Sequence, residues 1–300
     1  MLLANIIFGI MAPCTKYITS HSSIDGFALT GFRIIGACIL FWIAALFSKK
    51  EKVEKTDRKK LFFASAFAVT FNQLPFITGV SLTSPVNASV IVTALPIITM
   101  IISFIILKEP VSFKKVAGIV FGLSGALILI FHSVNGNSSS DSSVWGDLLC
   151  LWAQISFSFY IVLYKDLAGK YSPVTMMSRM FLYAALCCGP FLIPSMVRVD
   201  YVALSIYDYL SLTQIVVFGS FIAYFLIPIG QHRLRPTLVV MYSYIQPPVA
   251  SLACFIIGVG TLGFYNIISI LFIFTGVVLV TRSKKRSDIQ MNNSINMHNK

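Results

Sequence analysis

Ten apolar stretches, each near the length a helix needs to cross a bilayer, follow one another along the chain with short polar breaks between them. They fall at roughly 2–19, 27–47, 61–81, 84–107, 113–132, 146–165, 173–196, 210–230, 236–257 and 262–281. A transmembrane helix takes about 20 predominantly apolar residues. Segments such as "SKKEKVEKTDRKK", "HSVNGNSSSDSS" and "RLRP" supply the interruptions. Of 300 residues, 57% are hydrophobic and only 11% are charged, whereas a soluble domain carries about 25% charged residues. Soluble core helices would each need a polar face, and those faces are missing. The predicted fold class is all-α, an integral membrane protein of ten transmembrane helices.

Lys and Arg orient such a chain, because they collect on the cytoplasmic side of short loops. Nineteen of the 23 basic residues fall in alternate loops or the C-terminal tail, including Lys49, Lys50, Lys52, Lys55, Arg58, Lys59 and Lys60 after the second stretch. The opposite loops hold Arg198 alone, and Lys16, Arg33 and Arg179 lie within stretches. This alternation predicts a multi-pass protein of the cytoplasmic (inner) membrane with both termini cytoplasmic. The net charge of +12 then reflects basic loops facing anionic lipid headgroups. The lipid bilayer is an expected partner; nucleic acid is not. The first stretch starts almost at Met1 with no basic leader, so a cleaved signal peptide is not expected. All six cysteines lie inside apolar stretches without a CxxC, and the four histidines are dispersed. No disulfide, metal site or cofactor is expected.

The two halves repeat each other. Displacing the second on the first by 151 residues brings Pro85 onto Pro236, Pro96 onto Pro247, Gly79 onto Gly230 and Gly125 onto Gly276. Slightly smaller shifts bring Phe8 onto Phe157, Lys16 onto Lys165 and Arg33 onto Arg179. Five spans is an odd number, so the second copy enters the membrane from the other side. Such inverted repeats are a secondary-transporter architecture, with the solute site near mid-membrane between the halves. The expected organisation is a first five-helix repeat over 1–132, an external linker over 133–145, a second repeat over 146–282 and a cytoplasmic tail over 283–300.

The duplicated unit carries "FALTGFR", "ALPIITMIISFIILKEP" and "GIVFGLSGALILI" in its first copy, and "SPVTMMSR", "YIQPPVASLACFIIG" and "FIFTGVVLV" in its second. In these segments the whole chain resembles the EamA-type family of the drug/metabolite transporter superfamily. The resemblance implies two inverted five-helix repeats. It also implies a secondary transporter that moves a small metabolite or drug-like solute by alternating access, as an exporter or a facilitator/exchanger. There is one departure. The family pattern usually closes the fourth span of each copy on a Gly-Glu-like step, and this chain has Lys108-Glu109 in copy one but Gly260 in copy two. Two other classes stay in view, a non-transporting scaffold or sensor and an intramembrane enzyme. An ATP-driven pump does not, since no GxxxxGK[ST] loop occurs.

Pro96 and Pro247 sit about a third of the way along their stretches, where each frees a helical carbonyl. They are either packing kinks or bends lining a central site. Arg33 and Arg179 lie about two turns from a face and are read either as structural anchors or as contacts on the solute path. Gly118, Gly122 and Gly125 form a small-residue stripe that suits close helix packing and could serve a homodimer face. The polar residues well inside spans are amides and phenols, and no catalytic residues are predicted. In the family resembled, these helices line the central cavity, which selects Asn5, Gln73, Asn87, Gln154, Tyr160, Tyr224, Tyr242 and Gln246 as substrate-binding candidates. Asn72 and Gln73 cannot both face the cavity, because adjacent helical residues diverge by about 100°, and Gln73, which aligns with Tyr224 in the second copy, is preferred. Tyr242 and Gln246, four residues apart, are expected to share one face, opposite an apolar wall that includes Ile91 and Leu95.

Overall fold

The computed structural model describes residues 1–82, 88, 91–108, 112–134, 144–256, and 268, 271–272, 275–276 and 278–279. Asn87, Glu109, Pro110, Gly260, most of the tenth apolar stretch and the tail lie outside the described residues. Every regular element among those described is helical. In chain order these are α1 (Leu2–His21), α2 (Gly26–Leu46), α3 (Lys55–Leu82), α4 (Ile91–Leu107), α5 (Phe113–Val134), α6 (Val144–Leu163), α7 (Pro173–Val197), α8 (Ile206–Arg233) and α9 (236–256). A short helix, Lys165–Lys170, links α6 to α7. Six of them (α1, α2, α3, α6, α7 and α8) are long and apolar enough to cross a membrane.

Local chemistry sets the helix ends. Asp25 caps α2 by accepting from the Ala28 N–H at 2.7 Å. Ser172 caps α7 ahead of Pro173, whose missing N–H has no helical partner to lose at that position. Ser205 and Asp208 close a reciprocal capping box on α8. α4 ends where Lys108 takes a left-handed conformation at φ 50°.

Three helices depart from α geometry in their interiors. α3 contains a π-helical segment, Ala66–Thr70, and α8 a longer one, Gln214–Ile222. α9 tightens into a 3-10 turn at Tyr242–Ile245. The cause in α9 is readable: Pro247 and Pro248 cannot donate to the Ser243 and Tyr244 carbonyls, so the α ladder breaks there. In α4 the ladder is interrupted at Ala94, just before Pro96.

The halves are interleaved. α2 packs on α7 and α4 on α9; α3 and α4 pack on α6, while α8 and α9 pack on α1. Within a membrane these contacts rest on close packing and interhelical hydrogen bonds, since lipid supplies no hydrophobic drive between helices. Ser65 Oγ donates to the Met180 carbonyl at 2.5 Å, Ser156 Oγ to that of Phe67 at 2.8 Å, and Thr99 Oγ1 to Ser158 Oγ at 2.9 Å. Large apolar side chains such as Leu46, Phe47, Ile105, Leu186 and Phe191 point outward, as a lipid-facing surface requires.

The glycine stripe of α5 is used within the chain. A Cβ on Gly276 would lie 2.5 Å from the Gly118 carbonyl oxygen, and one on Gly122 would lie 2.5 Å from the Tyr244 ring. Backbone and ring approach too closely there for any side chain. The stripe thus serves close packing within the chain, against a neighbouring segment and α9.

Candidate functional site

A cavity of about 120 Å³ lies among α1, α2, α3, α4, α6, α8 and α9. The first half contributes Phe8, Gly9 and Met11 from α1, Arg33 from α2, Asn72, Phe76 and Val80 from α3, and Ala88, Val92 and Leu95 from α4 and the residues before it. The second half contributes Gln154 and Phe157 from α6, Tyr224 from α8, and Gln246, Pro247 and Ala250 from α9. Both proline interruptions open onto this space. Val92, whose carbonyl Pro96 leaves without its helical donor, lies on the wall, as does Pro247 itself.

The polar groups are held by specific partners. Arg33 is 2% exposed, and its Nε–H donates to Ser220 Oγ at 3.0 Å. Ser220 stands in the π segment of α8 and donates in turn to the Ile215 carbonyl, five residues back, at 3.1 Å. The π turn thus turns the hydroxyl toward α2. Asn72 donates from Nδ2 to the Ala153 carbonyl at 3.0 Å, and its Oδ1 accepts from the Tyr224 hydroxyl at 3.4 Å. The same hydroxyl reaches the Ala68 carbonyl at 3.1 Å. Gln246 donates from Nε2 to Asn5 Oδ1 at 2.8 Å.

Among the eight residues predicted to bind solute, Gln154, Tyr224 and Gln246 are on the wall. Asn5 stands one bond behind, fixing the Gln246 amide while its own Nδ2 donates to the Met1 carbonyl. Asn87 lies outside the described residues. The other three lie elsewhere. Tyr160 is fully buried in the core and donates to Gln231 Oε1 at 2.9 Å. Tyr242 packs with Ile119, Met241 and Tyr244 away from the cavity. A 3-10 turn advances about 120° per residue against 100° in an α-helix, so four residues no longer return to one face. Gln73 is buried beside the Tyr224 hydroxyl and is not on the cavity wall. Asn72 takes the wall instead, because the π turn just before it inserts a residue and resets the phase of α3.

The wall is chemically lopsided in part. α4 supplies only apolar side chains, Val92 and Leu95, as expected, whereas the polar groups come from five helices rather than mainly from α9. Ile91 packs with Val80, Ala88 and Cys150 and is not on the wall. The two arginines aligned in the sequence differ sharply. Arg33 is enclosed, whereas Arg179 is half-buried with its guanidinium 5.2 Å from the Trp42 ring centroid, in a groove with Lys52 and Arg58. Lys16 is exposed. Among the described residues no group of three His, Cys, Asp or Glu could hold a metal ion.

A second polar cluster joins the loops at one end of the bundle. Asp57 accepts from Lys170 Nζ at 2.7 Å and from the Tyr171 hydroxyl at 2.8 Å, and Lys170 also meets Glu54 at 2.7 Å. Glu51 accepts from the Ser172 N–H at 2.9 Å. Hydrogen bonds to Asp57 and then Glu54 push the Lys170 ammonium above its ordinary range.

Helices long and apolar enough to cross a membrane, packed around a partly open and mostly apolar cavity with five described polar side chains on its wall, describe a multi-pass membrane protein with an internal site. The EamA-like transporter family matches residues 1–131 and 144–282, so the chain belongs to that family. It is 26% identical to an uncharacterized transporter of Archaeoglobus fulgidus over 64% of this chain and 65% of that one. It is also 29% identical to the uncharacterized transporter YyaM of Bacillus subtilis over 58% of each. The chain thus spans less than two thirds of the length of either relative. YetK of Bacillus subtilis, also an uncharacterized transporter, is 19% identical over 87% of this chain and 80% of its own length. A crystal structure with 18% identity superposes with a TM-score of 0.72, over 94% of this chain and 98% of the other, and shows the same fold.

Proposed function

We propose that the protein is a secondary transporter of ten transmembrane helices, arranged as two inverted five-helix repeats with cytoplasmic termini. It moves a small solute across the cytoplasmic membrane by alternating access through the cavity between the repeats. The observation that carries this is the make-up of the wall, where repeat-related positions stand in pairs. Phe8 and Phe157 are both on it, and so are Leu95 and Gln246. The packing supports the same symmetry: α3 on α6 matches α8 on α1, and α4 on α6 matches α9 on α1. Sites between repeats at mid-membrane are the expected location in carriers of this build.

No carboxylate lines the cavity among the described residues, and buried carboxylates are the usual proton relays of coupled carriers. We therefore read the carrier as a facilitator or exchanger, or as one that couples without a buried acid. Two measurements test the proposal. Reporter fusions after residues 55, 112, 169, 234 and 290 should read cytoplasmic and those near 138 and 204 external; a cytoplasmic reading at 138 removes the inverted ten-span topology. Purified protein in liposomes should exchange at least one labelled solute from a panel of amino acids, nucleosides and monocarboxylates faster than protein-free liposomes, without a pH gradient. Uptake that strictly requires the gradient, and is lost in a folded Glu109→Gln variant, would overturn the uncoupled mode.

A further inference from the structure

Arg33 is the one basic side chain on the cavity wall among the described residues, and no described ion pair includes it. Its Nε is taken by Ser220, while its two terminal nitrogens make no hydrogen bond to the described residues. The described acids all sit in loops, at caps or in first helical turns. A guanidinium stays protonated in proteins, and a buried charge is destabilising unless paired. Holding it with one neutral serine leaves a positive charge at the wall of the cavity. Interhelical anchoring alone does not call for this, since a neutral donor could make the same single bond to Ser220.

The rest of the wall says what else would fit. Phe8, Phe76 and Phe157 with Tyr224 provide aromatic surface, and Asn72 and Gln154 bring amides. The volume, about 120 Å³, is close to that of an engineered apolar cavity of about 150 Å³ that admits benzene. The terminal nitrogens of arginine form a planar fork matched to a carboxylate. We infer that the solute is a small organic anion, a monocarboxylate with an apolar or aromatic body, whose carboxylate is held by the free fork of Arg33. This deepens the carrier reading and rests on the cavity being the solute site.

The test is equilibrium binding to the purified full chain in detergent. The probes are acetate, butyrate and benzoate, each paired with its neutral amide: acetamide, butyramide and benzamide. At least one carboxylate should bind about tenfold or more tightly than its amide, and Arg33→Gln should erase that preference. Ser220→Ala removes the described hydrogen bond but keeps the charge, so it should preserve the preference while lowering the melting temperature. Carboxylates binding no better than their amides, or an undiminished preference in Arg33→Gln, would overturn the inference. Should Arg33→Gln not fold, the carboxylate-against-amide comparison on the unmodified protein and on Arg33→Lys, which retains the charge, decides the matter. Arg33-dependent binding without exchange in liposomes would leave the anion site standing and remove the carrier reading. Exchange of neutral solutes alone would do the reverse.

Discussion

Tyr160 and Tyr224 bury their rings in one core cluster but use their hydroxyls differently. The Tyr160 hydroxyl is spent on Gln231, deep between α6 and α8, with no cavity contact. Its removal strands the Gln231 amide, whose Nε2 already lacks a described partner. Tyr160→Phe should therefore cost about 1 kcal/mol of stability and leave carboxylate affinity unchanged. Tyr224 stands on the wall and bonds Ala68 and Asn72 in the first half of the chain. Tyr224→Phe should lose a similar amount of stability and also alter affinity, because Asn72 would lose its donor and turn. Unfolding and binding measured on both variants separate the roles; equal effects on affinity would contradict the assignment. Gln154 and Gln246 reached the wall as their chemistry suggested, whereas Tyr160, equally polar and equally deep in its stretch, did not. Nothing in their types distinguishes them, since an amide or phenol suits a helix contact as well as a solute contact.

Irregular helical turns are what move side chains from one wall to another. In α9 the 3-10 turn at Tyr242–Ile245, imposed by Pro247 and Pro248, carries Tyr242 into the α5 contact and leaves Gln246 on the cavity. A Pro247→Ala, Pro248→Ala variant restores two N–H donors to the Ser243 and Tyr244 carbonyls. It should gain stability, by about 1–3 kcal/mol given proline's penalty inside a helix, and exchange solute more slowly as α9 straightens. A thermal melt and a liposome exchange rate check both halves; a lower melting temperature would mean that packing, not function, requires the bend. The prolines were visible in the sequence, and so was a bend. Its consequence for Tyr242 was not, because a stretch of four 3-10 residues leaves no compositional mark. The π turns of α3 and α8 are equally silent, and one of them decides that Asn72, not Gln73, meets the cavity.

For the molecule as a whole, the polar cluster around Asp57 ties the first turn of α3 and the loop before it to the segment between α6 and α7, bridging the halves at one end. The alternating access proposed for the protein would need such a contact to form and break. The raised Lys170 pKa means this pair's contribution is full below the ordinary lysine value, near 10.4, and is lost as pH rises through the higher folded value. The contact therefore holds throughout the neutral range. Asp57→Lys should lower the melting temperature and open this end to thiol reagents at an introduced loop cysteine. Adding Lys170→Asp, which reverses the pair, should recover part of both; no recovery would assign the effect to Tyr171 instead. Membership in a transporter family and the helical, membrane-crossing character were legible in the chain alone, because span length and apolar content are one-dimensional quantities matched to bilayer thickness. Which residue of a span faces the cavity, and that Arg33 is enclosed while Arg179 stacks on Trp42, was decided only by tertiary structure. Those facts depend on helix phase and on which helix of the other half lies opposite, and neither is written in the order of residues along a single span.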